Sequence, residues 1–282
     1  MRTESGIRRV IVAVLDGLRP DAIERFDLSH IQRLARQGAS CLSATTVSPS
    51  ITTAAVTSLL TGVSPRTHGI TSDRVFLPKV PAHIVGVPEL LARHGYPSSA
   101  FMGEVPPIFR GIAGRIGRRF GFGTVRLSGA TATDILLAAR TTLRTQRRGL
   151  IYLHWPDADR AGHTEGWMSD AYGDACMWLD GAMGMLASLT GIASDRHTLL
   201  IAVADHGGGG ASAREHESDH AMDRTIPLIL AGGAVGTMSL SHGTLLDVAP
   251  TILHALDVGI PASCEGRPLT EAFAATPASA VA

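Results

Sequence analysis

Asp16, Asp159, His163, Asp205 and His206 are residue types that hold a divalent cation, and each stands just past an apolar run. Asp16 follows Val10-Ile-Val-Ala-Val-Leu15. Asp159 and His163 follow Leu150-Ile-Tyr-Leu153, and Asp205-His206 follows His197-Thr-Leu-Leu-Ile-Ala-Val-Ala204. A mixed Asp/His set suits zinc, with manganese the second candidate. Thr52 and Thr53 lie where Ser48-Pro-Ser-Ile51 gives way to a small-faced helical pattern that Gly62 stops. Pro49 belongs outside a helix, so both threonines fall at a loop-to-helix junction, where backbone N–H groups have no partner in the helix. A hydroxyl there stands in a ready-made anion site, but it needs a base or a metal before it can attack. Each piece has a plainer reading: Asp16-Gly17 as a turn, Asp205-His206-Gly-Gly as a loop start, Asp159 and His163 as a cap and a surface imidazole, Thr52 as an N-cap. All of them at once, at the ends of separate strands, are better explained by a metal site.

The elements that must position these groups alternate between strands and helices. Val10–Leu15, Leu150–Leu153, His197–Ala204 and Thr225–Ala231 read as strands, and Ser98–Met102 as a weaker one. Helices are expected over Ile31–Gly38, Pro88–His94, Ala132–Thr145, Ser169–Leu189 and Leu245–Leu256. The expected fold is α/β, a mainly parallel central sheet flanked by helices on both faces, with a small cap. Parallel strands bring their C-terminal ends to one edge, so the Asp/His groups should converge there. The 282 residues read as one domain, in which residues 75–148 include a variable Arg/Gly/Pro-rich cap segment. Within it Arg110, Arg115, Arg118 and Arg119 either grip an anionic substrate or form a solvated basic face.

Composition narrows the function classes. The chain carries 25 basic and 25 acidic residues, which leaves no electrostatic footprint for nucleic-acid polymers or membrane surfaces. Three cysteines without CxxC spacing suggest inert thiols in a reducing compartment, and no apolar run approaches a membrane span. A cytoplasmic protein is expected. Its oligomeric state is not legible.

The motifs resemble the alkaline phosphatase superfamily, and most of all its type I phosphodiesterase/nucleotide pyrophosphatase branch. The resemblance is carried by Val14-Leu-Asp-Gly-Leu-Arg-Pro-Asp21, by Pro49-Ser-Ile-Thr52 with Leu60-Thr-Gly-Val-Ser-Pro-Arg-Thr-His-Gly-Ile70, by Asp159-Arg-Ala-Gly-His163, by Ala204-Asp-His-Gly-Gly208 and by Asp247-Val-Ala-Pro-Thr-Ile-Leu253. It implies a metal-dependent hydrolase of small-molecule phosphate esters or phosphonates acting through a phospho-threonine at a two-metal site, with zinc or manganese as cofactor. Asp16, Thr52, Asp205 and His206 would hold one metal; Asp159 and His163 would hold the other with a later histidine. His216 is the first choice for that ligand, with His220 and His242 as competitors.

Two departures bear on the substrate. The family's diesterases usually carry an asparagine three residues after the nucleophile, and here that position is Ala55. The sulfatase signature, Cys or Ser followed by x-Pro-x-Arg, is not met by Thr52-Thr-Ala-Ala-Val56. Phosphomonoesterase, phosphonate hydrolase and phosphomutase activities are the alternatives on the same scaffold, and a metal-binding relative without turnover is the alternative outside it. Thr53 is the rival nucleophile, one residue off the family's register.

Overall fold

Arg9–Leu15 (β1) is buried at every position, as a continuous β-branched run must be when both faces of its sheet are covered. It lies in an eight-stranded sheet with β2 (Ala39–Thr45), β3 (Ser98–Met102), β4 (Thr124–Leu127), β5 (Gly149–Trp155), β6 (Thr198–Val203), β7 (Thr225–Ala231) and β8 (Met238–Ser239). The order is β4-β3-β5-β1-β6-β7-β2-β8. The computed structural model describes residues 6–72, 80–104 and 117–273.

The centre of the sheet is parallel: β1 pairs with β5 and β6, and β3 with β4 and β5. Only β7 runs against its neighbours β6 and β2 among the described strands. Helices α1 (Pro20–Arg25), α2 (Ser29–Gln37), α3 (Thr52–Thr61), α4 (Pro65–His68), α5 (Val87–Arg93), α6 (Ala132–Thr145), α7 (Asp157–Glu165), α8 (Asp170–Thr190), α9 (Ala221–Arg224) and α10 (Val248–Ala255) complete the layers. Helices α2, α6 and α7 pack on α8, while α3, α5 and α10 pack together. The sheet is therefore flanked by helices on both faces, as the alternating pattern requires.

The expected strands and helices are present, with ends shifted by a few residues. Leu245–Leu256 splits into a short 3₁₀ turn, Leu245–Asp247, and α10. Strand β2 escapes sequence reading because it mixes polar and apolar positions and carries a bulge between Cys41 and Ala44. Arg110 and Arg115 lie outside the described residues.

Register sets the site. Leu15 pairs with Trp155 and Val14 with Val203, so β5, β1 and β6 end almost level. Asp16 bends sharply into Gly17, whose φ is 71°. A Cβ on Gly17 would lie 2.7 Å from the Asp159 Cα, so only glycine lets the first turn of α7 rest on the end of β1. The backbone N–H of Asp159 donates to the Asp16 carbonyl at 3.0 Å across that contact. The Gly17 carbonyl accepts from Trp167 Nε1 and from the Tyr172 hydroxyl, each at 2.9 Å. On the other side, a Cβ on Gly208 would lie 2.1 Å from the Trp167 ring. Trp167 is thus a wedge that ties the β1 and β6 loops together.

Gly17→Ala should destabilise the protein by more than the ~1–2 kcal/mol of a left-handed backbone alone, because the backbone of α7 must also move. Gly181→Ala, on α8 with nothing within 4 Å of the added Cβ, should instead stabilise by roughly 0.5–1 kcal/mol. Thermal unfolding of both variants checks this; a neutral Gly17→Ala would contradict the close approach of α7 to β1.

Candidate metal centre

Most of the chemical groups are delivered by a strand end or by the first turns of a helix. Asp16 leaves β1, His154 is the penultimate residue of β5, and Asp205-His206 leaves β6. Asp159 and His163 lie one turn apart on α7, a helix rather than a strand-end loop, so both face the same way. Thr52 is the first residue of α3, as its pattern predicts. Ile51 at the N-cap offers no side-chain oxygen, so no cap competes for the N–H groups of the first turn. His216 reaches the site from the long loop after β6, held by Ser50: the His216 Nδ1 donates to the Ser50 carbonyl at 2.6 Å, and the Ser50 hydroxyl donates to the His216 carbonyl.

Three imidazoles are wired alike. Nδ1 meets a backbone carbonyl in His163 (Arg214, 2.8 Å), His206 (Gly207, 2.9 Å) and His216 (Ser50, 2.6 Å). A carbonyl only accepts, so each Nδ1 carries a hydrogen, and the neutral ring presents Nε2 as a bare lone pair. His163 Nε2 and His216 Nε2 nevertheless face each other at 3.1 Å. Two lone pairs do not hydrogen-bond; a shared cation or an added proton must lie between such atoms. His206 Nε2 is 3.3 Å from Asp16 Oδ1, 3.7 Å from Asp205 Oδ2 and 4.0 Å from Asp159 Oδ1. Its ring stacks on that of His216 with centroids 3.7 Å apart.

The carboxylates complete the pattern. Asp205 Oδ1 accepts from the backbone N–H of Gly17 and of His206, while its Oδ2 has no hydrogen-bond partner. Asp16 Oδ1 and Asp159 Oδ1 are buried without a partner as well. Orphaned oxygens on three converging carboxyls are costly unless a cation satisfies them. Ligand-type atoms of Asp159, His206 and His216 lie within 4.8 Å of one another, and so do those of Asp16, His154 and Asp205. Tetrahedral ligands about 2.0–2.1 Å from one zinc stand ~3.3 Å apart, and the 3.3 Å between His206 and Asp16 and the 3.4 Å between His163 and Asp159 match that spacing. The donor set therefore fits divalent cations.

Without a cation, protons do the neutralising. Burial and the nearby Asp16 carboxylate push Asp159 up to about 8, and the same two causes push Asp205 up to about 6. Burial opposes the charged form of His206, but Asp205 and Asp16 outweigh it and raise the ring to about 10. Burial likewise opposes ionisation of Asp16, but His154 and His206 together hold its carboxyl well below the usual range. His216, by contrast, falls to about 4 through burial and the neighbouring His206.

The structure brings Asp16, Thr52, Asp159, His163, Asp205, His206 and His216 to one sheet edge. Thr52 Oγ1 lies 3.2 Å from His206 Nε2, whereas the exposed Thr53 hydroxyl donates to the Ser72 carbonyl. His220 accepts from the Met222 N–H as the cap of α9, and His242 is exposed; neither joins the cluster. Arg118 and Arg119 are exposed. His154 was not singled out by sequence reasoning, although its place at the end of a buried strand beside Pro156 and Asp157 was the available signal: its Nε2 is 2.7 Å from Asp16 Oδ2.

The profile of the family "Type I phosphodiesterase / nucleotide pyrophosphatase" matches residues 10–86, and that of the "Metalloenzyme superfamily" matches residues 124–259. The first holds Asp16 and Thr52; the second holds the other cluster residues. A 2,3-bisphosphoglycerate-independent phosphoglycerate mutase from Shewanella oneidensis is 31% identical over 147 residues, 51% of this chain and 26% of that enzyme. The chain thus spans about a quarter of the length of the curated relatives it matches. The human ectonucleotide pyrophosphatase/phosphodiesterase 5 superposes with a TM-score of 0.74 at 16% identity, covering 94% of this chain and 100% of that one. A phosphonate monoester hydrolase from Silicibacter pomeroyi superposes with a TM-score of 0.67 at 16% identity, covering 97% of this chain and 77% of that one. The resemblance to the alkaline phosphatase superfamily is shown, and the fold is alkaline phosphatase-like.

The protonated cluster predicts how stability varies with pH. Asp159 keeps its proton up to about 8 and His206 up to about 10 in the folded, ion-free protein. In the unfolded chain these groups release theirs near ~3.9 and ~6.5. Between roughly pH 6.5 and 8 the folded state therefore holds protons that the unfolded state has lost, and stability falls as pH rises. A bound cation replaces those protons. The difference in Tm between metal-loaded and chelator-treated protein should widen from pH 6.5 to 8; a constant or shrinking difference would contradict the proton-for-cation exchange.

Proposed function

We propose that the protein is a metal-dependent hydrolase of small-molecule phosphoric esters, of the phosphodiesterase/nucleotide pyrophosphatase type, with Thr52 as nucleophile. The observation that carries this reading is the Thr52 hydroxyl at the start of α3, 3.2 Å from His206 Nε2 and beside three carboxyls with orphaned oxygens. Asp16, Thr52, Asp205 and His206 would hold one divalent cation, and Asp159, His163 and His216 the other; zinc is the first candidate and manganese the second. Two such cations supply charge neutralisation at the phosphoryl oxygens and make a hydroxyl a competent nucleophile at neutral pH.

The chain's own residues do the rest. Helix α3 fixes the Thr52 Oγ1 direction and aims its first N–H groups at the side where phosphoryl charge gathers. His206 Nε2, its ring locked through Nδ1, faces the Thr52 hydroxyl. In attack, a bond forms between Thr52 Oγ1 and phosphorus as the ester P–O bond opposite it breaks; the hydroxyl gives up its proton and the departing oxygen takes one up, so an alcohol leaves and phospho-threonine remains. Water then cleaves the phospho-threonine and restores Thr52. The Thr46 hydroxyl, which donates to the Asp205 carbonyl, and the Ser50 clamp on His216 keep the loops on either side in place.

A second reading, hydrolysis of phosphomonoesters or phosphonates, is favoured by one residue. Ala55 is fully buried and offers a methyl where diesterases of this resemblance carry an amide donor.

Thr52→Ala should abolish turnover of an aryl phosphodiester while retaining the cation held by Asp159, His163 and His216. Thr53→Ala should keep most activity, losing at most the ~0.5–1.5 kcal/mol of one hydrogen bond. Mass spectrometry of acid-quenched enzyme should find phosphate on the peptide containing Thr52. Phosphate on Thr53, or full activity in Thr52→Ala, would overturn the nucleophile assignment.

A further inference from the structure

His154 is wired in the opposite sense to the other three histidines. Its Nδ1 meets no carbonyl. It meets the Tyr152 hydroxyl at 3.0 Å, and its Nε2 meets Asp16 Oδ2 at 2.7 Å. Tyr152 is 1% exposed, and among the described residues its hydroxyl bonds only to His154. A buried phenol that merely accepted from Nδ1–H would leave its own O–H unpaired, so the hydroxyl donates and Nδ1 accepts. The ring's hydrogen is then on Nε2, pointing at the carboxylate. A doubly protonated ring gives the same result at Nε2.

Distance separates this contact from the others. Two atoms sharing a tetrahedral zinc stand ~3.3 Å apart, but His154 and Asp16 are 2.7 Å apart, the length of a charge-assisted hydrogen bond. The other Nε2 contacts in the cluster are longer, from 3.1 Å for His163–His216 to 4.0 Å for His206–Asp159. His154 therefore lies within ligand range of Asp16 and Asp205 without presenting a lone pair to a cation.

We infer that His154 is a positioning residue: locked by Tyr152, its Nε2–H holds Asp16 Oδ2 and leaves Asp16 Oδ1 as the oxygen turned toward His206. The inference rests on the cation-site reading above. Its consequence is a three-member chain, Tyr152 to His154 to Asp16, that fixes one oxygen of the β1 carboxylate before any cation arrives. Tyr152 and His154 lie on β5, and Asp16 directly follows its neighbour β1, whose pairing places Val14 opposite His154. The donor side of the chain is thus set by the rigid centre of the sheet, and Asp16 is one residue beyond it.

The test is cation affinity, measured by competition between the protein and a chromophoric chelator for Zn2+, together with the absorption spectrum of the Co2+-substituted protein. His154→Gln keeps an amide N–H donor at about the reach of imidazole Nε2, but its nitrogen has no lone pair for a metal. His154→Ala should weaken cation binding about 10–100-fold. His154→Gln should remain within several-fold of the parent, with the Co2+ visible bands unchanged in position and intensity. Tyr152→Phe should show a smaller loss than His154→Ala. A Gln variant as weak as the Ala variant, with altered Co2+ bands, would show that His154 is a ligand and overturn the inference. Parental affinity in His154→Ala would overturn it too. A parent protein that binds neither ion would overturn the cation-site reading itself, an outcome visible before any variant is made.

Discussion

Three carboxyls with buried oxygens at one sheet edge are the constraint on which the rest of the structure depends. Asp16, Asp159 and Asp205 each keep an oxygen without a hydrogen-bond partner. Like charges in a desolvated cluster raise one another's pKa, which is why Asp159 and Asp205 rise while Asp16, paired with His154 and His206, falls. Such a cluster weakens the fold that carries it. It persists because the strands beneath it are wholly buried and parallel, so their ends do not splay to relieve the repulsion. Stability spent on this edge is recovered when positive charge binds there, and that coupling is what a metal-dependent active site requires.

The packing around the cluster serves the same constraint. Gly17 lets α7 sit on the end of β1, which brings Asp159 to Asp16. Trp167 and Tyr172 both donate to the Gly17 carbonyl, and the backbone N–H of Arg19 donates to the Tyr172 hydroxyl at 3.0 Å. The result is a short loop held through the Gly17 carbonyl and the Arg19 N–H, beside strands that are buried on both faces. On the far side, Ser50 binds the His216 loop through both its carbonyl and its hydroxyl. The loop that presents Thr52 is therefore also the loop that places His216, and the Thr52 hydroxyl and the His216 imidazole are positioned together.

Much of this was legible in the sequence, for physical reasons that differ by residue. Asp16 and Asp205 could be read because a parallel buried strand is an unbroken apolar run, and the first polar residue after it must lie at the sheet edge. Thr52 could be read from the change of period after Pro49 and the glycine stop at Gly62, whose φ of 71° closes α3. Asp159 and His163 stand out in the sequence, but their helix does not, since two charge-rich turns carry little periodic signal. His154 carries the same signal as Asp16 and Asp205, being the first polar residue after Leu150–Leu153, and only the structure extends the strand over it. Strand β2 and the antiparallel sense of β7 depend on pairing across the sheet, which local pattern does not encode. Arg118 and Arg119 stand in a Gly/Pro/Arg-rich stretch without the apolar periodicity from which a position can be inferred.

The central claim is that the sheet edge formed by β1, β5 and β6 is a cation site and not a network of protonated acids. The most direct measurement is a crystal structure of the protein soaked in Mn2+ or Zn2+ and recorded at the metal's absorption edge. The account predicts anomalous density enclosed by Asp16 Oδ1, Asp205 Oδ2 and His206 Nε2, and a second peak against Asp159, His163 and His216. A cluster that shows no anomalous density at saturating metal, with the His163–His216 and His206–Asp16 contacts unchanged, would contradict it.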